Sequence, residues 1–573
     1  MITADYFLEG LNEIGVEYIF SNFGTDHAPI IEAMARWRQA GRHYPQVIVC
    51  PHENVATAMA MGFAQCTGRG QAVLVHTDVG TANAAMGIMN ACRSRVPILL
   101  IAGKTPFVIH GELPGGRNIP VHFLQDTRDM GSIVRPYVKW EYTLPSGVVV
   151  KEVTRRAHTM MQSDPQGPVF LMLPREILAE PWPEEKIVSF PAEQYGPYTA
   201  TGVEDSLLEE VADHLLAAAN PILITSYAGR NRNAPAVIAE FAQLAGIKVY
   251  ESNPTALNIA HDSPCFFGFS AESELARADL GLMVDVDIPW IPSRARLNPD
   301  LHWVHIDVDA VKKDIPMWGF PSHTRLQGDS TRILCRLRGI VQARRTDAQR
   351  SKVERRLSEF VAAKKSRDAE TALRSRDSAP ASGIDPGFLC SELNKAIAPD
   401  DILINETIKN TPAVVREIQR TVPGTYLASG GSGLGYGGGA ALGVKLANPD
   451  RTVFHLTGDG SFYFSDPSAV YEVSQRYGLP MLTVIFDNGG WAAVKESVKL
   501  LYPDGASAAS NQFQALIDPA IAFEKMGEAA GAHGERVTES KELPAAIQRC
   551  LKIVKEGRAA ILNVRLSGEL IAS

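Results

Sequence analysis

Beyond an apolar run at 452–457 the chain reads Gly458-Asp459-Gly460-Ser461-Phe462, and Asn488 follows Asp459 by 29 residues, at the end of a second apolar run, 481–487. Glycines at a strand-to-helix turn let backbone N–H groups approach an anion such as a diphosphate. The spacing fits one strand, its crossover helix and the next strand, which puts both side chains at the same carboxyl edge of a parallel sheet. A carboxylate and an amide oxygen placed there can share one hard cation, and Mg²⁺ takes a few protein oxygens alongside phosphate and water. Taken alone, the turn reads equally well as an aspartate capping a helix in any doubly wound domain.

Other residues have chemistry to offer. Glu53 stands in Pro51-His52-Glu53-Asn54, ahead of a run rich in Ala and Met; it could equally be an acid at a helix start, favoured by the macrodipole. Ser429 to Gly437 holds five glycines, and Asn405-Glu406-Thr407-Ile408-Lys409-Asn410 offers three donors in Thr407, Lys409 and Asn410. His27 follows Gly24-Thr25-Asp26 and His76 opens Thr77-Asp78-Val79-Gly80. Histidines titrate near neutrality and suit acid–base work, but both could simply complete hydrogen bonds at strand ends.

These groups must be held by elements. Apolar runs at 47–50, 72–76, 97–102, 169–173, 221–225, 280–284, 401–405, 452–457, 481–487 and 559–566 alternate with amphipathic stretches of helical length. That pattern predicts an α/β class, with parallel sheets covered by helices on both faces. At 573 residues the chain exceeds one core, and three doubly wound parallel-sheet domains are expected. The charged, proline-rich Glu180 to Glu185 closes the first, giving 1–185, then a middle domain 186–342. The polar stretch 343–385, which contains Ser378 to Gly383, is read as part solvated helix and part linker before a C-terminal domain 386–573. Net charge is -8 with 45% apolar and 21% charged residues, which leaves no footprint for nucleic acid and makes a small molecule the expected partner. The seven cysteines lack C-x-x-C spacing, so reduced thiols and no zinc site are expected. Without a signal-like start or a long apolar window, a cytoplasmic protein with no membrane segment is expected.

The Gly458-Asp459-Gly460…Asn488 pair, the His52-Glu53…Met59-Ala60-Met61-Gly62…Thr67-Gly68 stretch and the Ser429–Gly437 run together resemble the thiamine-diphosphate enzyme superfamily. The resemblance implies that Asp459 and Asn488 bind Mg²⁺ through side chains and Gly490 through its carbonyl. Gly458, Gly460 and Ser461 would line the diphosphate, with Thr407, Lys409 and Asn410 donating to it. Glu53 would hold the aminopyrimidine and promote its imino tautomer, Gly433 would offer a carbonyl to the 4′-amino group, and Leu434 would bend the cofactor. The cofactor then carries the covalent chemistry while the protein positions and polarises it. The first domain would bind the pyrimidine and the last the diphosphate, with sites shared across a homodimer or homotetramer.

Over nearly the whole chain the order of motifs resembles the branch that holds acetolactate synthase, benzoylformate decarboxylase and hydroxyacyl-CoA lyase. His122-Phe123-Leu124-Gln125-Asp126 with Arg135-Pro136 resembles acetolactate synthase and makes Gln125 a candidate active-site glutamine. Departures matter too. Val284 to Pro292 replaces a stretch that supports flavin in acetolactate synthase, which puts FAD in question. His27 and His76 sit in segments that the family places over the thiazolium, so either is a catalytic candidate. Trp491, Val494 and Glu496 fall on the substrate-pocket helix, where Glu496 is either an acid or a solvated glutamate. The implied function is carbon–carbon bond formation or cleavage on 2-oxo acids, of the acetolactate synthase kind. The alternative is a 2-hydroxyacyl-CoA lyase releasing formyl-CoA and a carbonyl compound, with Gly229-Arg230-Asn231-Arg232 as a phosphate site or a plain surface turn. A binding scaffold with a dead thiamine site is a third reading, against which the intact Glu53, Asp459 and Asn488 count.

Overall fold

The structure, a computed structural model, describes residues 1–187, 189–198, 202–374 and 383–567. Each apolar run named above forms a strand, and the strands assemble into three six-stranded sheets. The N-terminal sheet holds β1 (Tyr18–Ser21), β2 (Gln46–Val49), β3 (Gln71–Val75), β4 (Ile98–Lys104), β5 (Glu141–Thr143) and β6 (Val169–Pro174), in the order β2-β1-β3-β4-β6-β5. The middle sheet holds β7 (Pro221–Thr225), β8 (Lys248–Glu251), β9 (Phe266–Gly268), β10 (Leu280–Val284), β11 (His302–Asp307) and β12 (Thr324–Gln327), in the order β12-β11-β10-β7-β8-β9. The third holds β13 (Ile402–Glu406), β14 (Tyr426–Ala428), β15 (Val453–Gly458), β16 (Leu482–Asp487), β17 (His533–Val537) and β18 (Ala560–Arg565), in the order β14-β13-β15-β16-β18-β17. All strand pairs are parallel. Central strands such as β3, β7, β10 and β13 are buried along their whole length, which is why they read as continuous apolar runs.

The short strands β5, β9 and β14, and β17 with its half-buried pattern, carry weaker signals, because edge strands need no continuous apolar face. The polar stretch after 342 is more ordered than its composition suggests. Residues Asp347–Arg374 form one helix that docks on the middle sheet through buried Val353 and Phe360. Arg356 donates to the carbonyls of Ala218, Ala219 and Ala245, and Arg367 to that of Phe266. The expected linker residues 378–382 lie outside the described residues.

The first and third sheets share one core. The helix Glu53–Thr67 lies against the helix Tyr436–Ala447, and a single apolar cluster runs from Phe20 and Met59 through Ala440 to Ile404 and Phe462. Small residues bring the two backbones together: a Cβ on Gly62 would lie 2.2 Å from the Ala440 carbonyl oxygen, and one on Gly443 1.9 Å from that of Met59. No helix among the described residues is long and apolar enough to cross a membrane.

Candidate active site

At the carboxyl edge of the N-terminal sheet, β2 leads through Pro51 into the Glu53 helix, whose first N–H groups are capped by His52 accepting from Asn54 N at 3.1 Å. Glu53 is buried and accepts from two amides, Asn22 Nδ2 at 3.3 Å and Asn83 Nδ2 at 3.0 Å. Gly80 keeps this side open, since a Cβ there would sit 3.2 Å from Glu53 Oε1.

Beside it, the ends of β1 and β3 bring Asp26 and His76 together. His76 Nδ1 lies 2.5 Å from Asp26 Oδ1, and its Nε2 lies 2.7 Å from Gln125 Oε1. The ring is thus held at both nitrogens, by a carboxylate on one side and an amide on the other. The Asp26 hydrogen bond, against the opposing effect of burial, raises the His76 pKa. Burial works to raise that of Asp26, but the charge of His27 and the His76 bond prevail and lower it. Glycine makes the pair sterically possible: a Cβ on Gly103 would lie 1.5 Å from Asp26 Oδ2, and one on Gly24 2.0 Å from His76 Nδ1.

His27 does not join His76 at the open edge. It has no exposed surface, its Nδ1 accepts from Gly24 N at 2.9 Å, and its Nε2 has no hydrogen bond among the described residues although Asp26 Oδ2 is 3.2 Å away. Burial lowers its pKa, opposed by Asp26, and the ring packs behind the aspartate, away from the open edge where His76 stands. His122 is also buried, accepting from Asn118 N at 3.3 Å. The segment carrying Gln125 is held by residues the sequence reading passed over. Arg175 donates to the carbonyls of Gly115 at 2.6 Å and Gly116 at 2.5 Å, and Glu176 accepts from Phe107 N at 2.7 Å and Val108 N at 3.0 Å.

At the carboxyl edge of the third sheet, Gly458 ends β15 and Asp459 opens the next helix. Buried Asp459 accepts from Gly460 N and Gly489 N, each at 2.9 Å. Burial, then the charge of Asp487, pushes its pKa up to about 7. The Asn488 amide turns one end toward Asp459 Oδ1 at 3.3 Å and the Gly490 carbonyl oxygen at 2.7 Å. With its NH₂ at that end the amide donates to both oxygens; with its oxygen there, three hard donors converge on one point, a set suited to a divalent cation. Gly460 and Gly490 admit no side chain, since a Cβ would lie 2.5 Å from Trp491 Nε1 and 2.0 Å from the Ala515 carbonyl oxygen respectively. Asn410 Nδ2, on the turn after β13, is buried without a hydrogen-bond partner among the described residues, as a donor awaiting an anion would be. Thr407 donates to Asn405 Oδ1 at 2.8 Å, and Ser461 is buried beside Asp459.

Two contacts bear on the expected site. Glu496 is ion-paired with Lys409 across the sheet edge. Gly433 is clasped within the chain, its N–H and carbonyl meeting Asn90 Oδ1 at 2.9 Å and Nδ2 at 3.0 Å. Leu434 is half-buried beside it. Glu406, unassigned from sequence, shapes this glycine run by accepting from Gly435 N at 2.7 Å, Tyr436 N at 3.0 Å and Gly437 N at 2.9 Å. Away from this centre, His533, Glu535 and Cys550 gather ligand-type atoms. Arg549 binds Glu535, and burial and Glu535 push the Cys550 thiol up to about 12, which leaves a structural contact.

Parallel α/β sheets joined by a shared core, with carboxylates and glycine turns at two carboxyl edges, define a multidomain enzyme built to hold a polar cofactor. Residues 1–130 match the family described as thiamine pyrophosphate enzyme, N-terminal TPP binding domain, and residues 410–564 match its C-terminal TPP binding domain. The chain is 24% identical to the acetolactate synthase large subunit of Lactococcus lactis, covering 98% of this chain and 92% of that one. It is also 24% identical to the benzoylformate decarboxylase of Pseudomonas aeruginosa, over 95% of each. Among solved structures, the thiamine diphosphate-dependent 4-hydroxybenzoylformate decarboxylase of Rhodococcus jostii superposes with a TM-score of 0.79 at 20% identity, each chain fully covered. The chain carries the N- and C-terminal domains of the thiamine pyrophosphate enzymes, and over nearly its whole length it is similar to acetolactate synthases and benzoylformate decarboxylases.

The Asp26–His76 pair gives a prediction whose sign follows from the two shifts. The pair stabilises the fold between the lowered Asp26 pKa and the raised His76 pKa, and its contribution is lost as pH rises through the latter or falls through the former. In Asp26→Asn the His76 ring, followed by NMR, titrates at lower pH than in the wild type. An unchanged His76 titration would show that the contact does not set its protonation.

Proposed function

We propose that the chain uses thiamine diphosphate and Mg²⁺ to make or break a carbon–carbon bond next to the carbonyl of a 2-oxo acid, as an acetolactate-synthase-like carboligase or decarboxylase. The observation that carries this is the convergence of Asp459, Asn488 and the Gly490 carbonyl at one sheet edge beside the unpartnered Asn410 amide. These residues fit the group: the oxygens suit Mg²⁺, and Asn410, Thr407 and Ser461, with the backbone from Gly458 to Gly460, suit a diphosphate. The carboxylate of Glu53 suits the ring nitrogen of an aminopyrimidine, and Leu434 and Gly433, the latter positioned by Asn90, would line the cofactor. Bound there, thiamine diphosphate would supply an acidic thiazolium carbon that, once deprotonated, is a nucleophile suited to the carbonyl of a 2-oxo acid. His76, held between Asp26 and Gln125 with its pKa raised by the Asp26 bond, is the candidate to donate a proton to the carbonyl oxygen of the substrate. The three sheets support reading 1–185 as the pyrimidine-binding domain, 186–342 as the middle domain and 386–573 as the diphosphate-binding domain. The helix up to Arg374 belongs with the middle sheet it covers.

Glu53→Gln is expected to slow exchange of the cofactor's C2 proton roughly 10²- to 10⁴-fold, the range for loss of a positioned acid–base group. Cofactor affinity should stay close to wild type, because the metal edge is untouched. Wild-type exchange in this variant, measured by NMR after quenching in D₂O, would sink the assignment of Glu53.

We further infer that the working unit is at least a homodimer, with each cofactor held between the first sheet of one chain and the third of another. Both edges carry uncovered apolar side chains: Phe107, Ile109, Phe123 and Leu124 beside Gln125, and Leu500, Leu501 and Tyr502 beyond Asn488. Patches of this kind mark protein interfaces, and a second copy supplies the complementary surface under two-fold symmetry. Mixed Glu53→Gln and Asp459→Ala subunits should regain part of the C2 exchange that neither shows alone. If mass spectrometry proves subunit exchange and the rate stays at the level of the separate variants, each chain builds its own site.

A further inference from the structure

Doubly wound sheets bind nucleotides outside the carboxyl strand ends, at the point where strand order reverses. In the middle sheet that point lies between β10 and β7. Here the chain's own side chains fill it. The Tyr227 hydroxyl donates to Asp307 Oδ2 at 2.6 Å, and Lys312 Nζ reaches Asp307 Oδ2 at 2.5 Å, the Tyr227 oxygen at 2.6 Å and Asp287 Oδ1 at 2.9 Å. Tyr227, Asp307 and Lys312 are all buried. Arg95, from the turn after the helix Thr77–Arg93, enters from the N-terminal sheet. It grips Asp287 with two nitrogens at 3.0 and 2.8 Å while its guanidinium lies 4.2 Å from the Tyr227 ring centre.

The mouth is closed by backbone as well. The Asp285 carbonyl, on the β10 side, accepts from Ser226 N and Tyr227 N on the β7 side, both at 3.0 Å, and its carboxylate takes the Ser330 hydroxyl. Asp285 and Lys312 hold φ values of 45° and 52°, left-handed conformations that non-glycine residues keep only where neighbours over-determine them. Lys312 faces Asp287 and Asp307, and Arg95 faces Asp287. A phosphate entering would strip a partner from a buried charge.

The residues that a CoA nucleotide would need are committed elsewhere. Arg230 lies 3.4 Å from Asp164 of the N-terminal domain. Arg232 donates to the carbonyls of Gln65 at 3.3 Å and Cys66 at 3.2 Å and packs against Gly424. The Gly229 turn is pressed onto Leu257, whose carbonyl oxygen would lie 2.0 Å from an added Cβ, and its N–H is bonded to Asn258 Oδ1 at 2.9 Å. Among the described residues, the groups at the crevice and at the Gly229 turn that could meet a flavin or a CoA nucleotide are engaged within the chain.

We propose that the switch-point crevice of the middle domain is a closed ionic joint that seats Arg95, and with it the far end of the helix that begins at His76, and binds no nucleotide. An acyl substrate would then have no nucleotide handle seated in this crevice, which favours a small 2-oxo acid over an acyl-CoA thioester and rests on the thiamine-dependent reading above. The test is calorimetry on the full-length protein loaded with thiamine diphosphate and Mg²⁺, titrated separately with FAD, ADP and CoA. No saturable heat is expected up to about 1 mM, together with a fall in thermal midpoint for Arg95→Met. Saturable binding of any of the three with Kd below about 100 μM, or flavin absorbance carried through purification, would overturn the proposal, as would an Arg95→Met variant that melts like the wild type. Failure to load thiamine diphosphate in the same calorimeter would refute the functional reading instead, while the titrations on the unloaded protein would still decide the joint.

Discussion

Where the helices Glu53–Thr67 and Tyr436–Ala447 cross, main chain packs directly on main chain. Gly62 against Ala440, Gly443 against Met59 and Gly439 against Val55 and Ala58 leave no room for a Cβ, so the two axes approach closely and cannot slide without clash. Everything chemical in the molecule hangs on that contact. Glu53 opens one of the two helices, and the glycine run that Glu406 shapes leads into the other. The adjoining helix Thr77–Arg93 adds Asn90, which takes both the N–H and the carbonyl of Gly433. A rigid seam of this kind fixes polar groups from two separate sheets relative to each other, which loops alone would do with less precision.

With that frame set, the buried carboxylates near the two edges find different partners. Asp26 is answered by histidine, Glu53 by two asparagine amides, Glu406 by three backbone N–H groups, and Asp307 by a lysine and a tyrosine. Asp459 has two backbone N–H donors, and its charged neighbour is another carboxylate, Asp487, so burial and repulsion both push its pKa upward. A divalent cation at that point would reverse the sign of the local field and leave the carboxylate ionised. The same comparison separates two interior carboxylates: Asp307 faces a lysine and a tyrosine, whereas the charged neighbour of Asp459 is another carboxylate.

Much of this was legible in the sequence, for a reason that is local. Buried parallel strands write themselves as apolar runs, so β7 and β10 are bounded in the sequence as in the structure, and the glycine turn at 458–460 with Asn488 declares a strand–helix–strand unit through spacing alone. Partnerships made across the fold leave no such trace. Nothing near residue 26 shows that Asp26 meets a histidine 50 residues on, or that His27 beside it turns inward. Lys409 and Glu496 looked like separate functional groups because their meeting depends on two turns of one sheet edge. Arg230 and Arg232, which resemble a surface phosphate site, are taken up by contacts with the neighbouring sheets. Charge, in short, was visible, and its counter-charge was not.

The central claim is that a divalent cation held by Asp459, Asn488 and the Gly490 carbonyl ties thiamine diphosphate to the third sheet. Isothermal titration of the purified chain with thiamine diphosphate, in Mg²⁺ and again in excess chelator, tests it directly. The account predicts one cofactor per chain in Mg²⁺ and an affinity at least about 100-fold weaker without the metal. Equal affinity in the two conditions, or no binding in either, would contradict it.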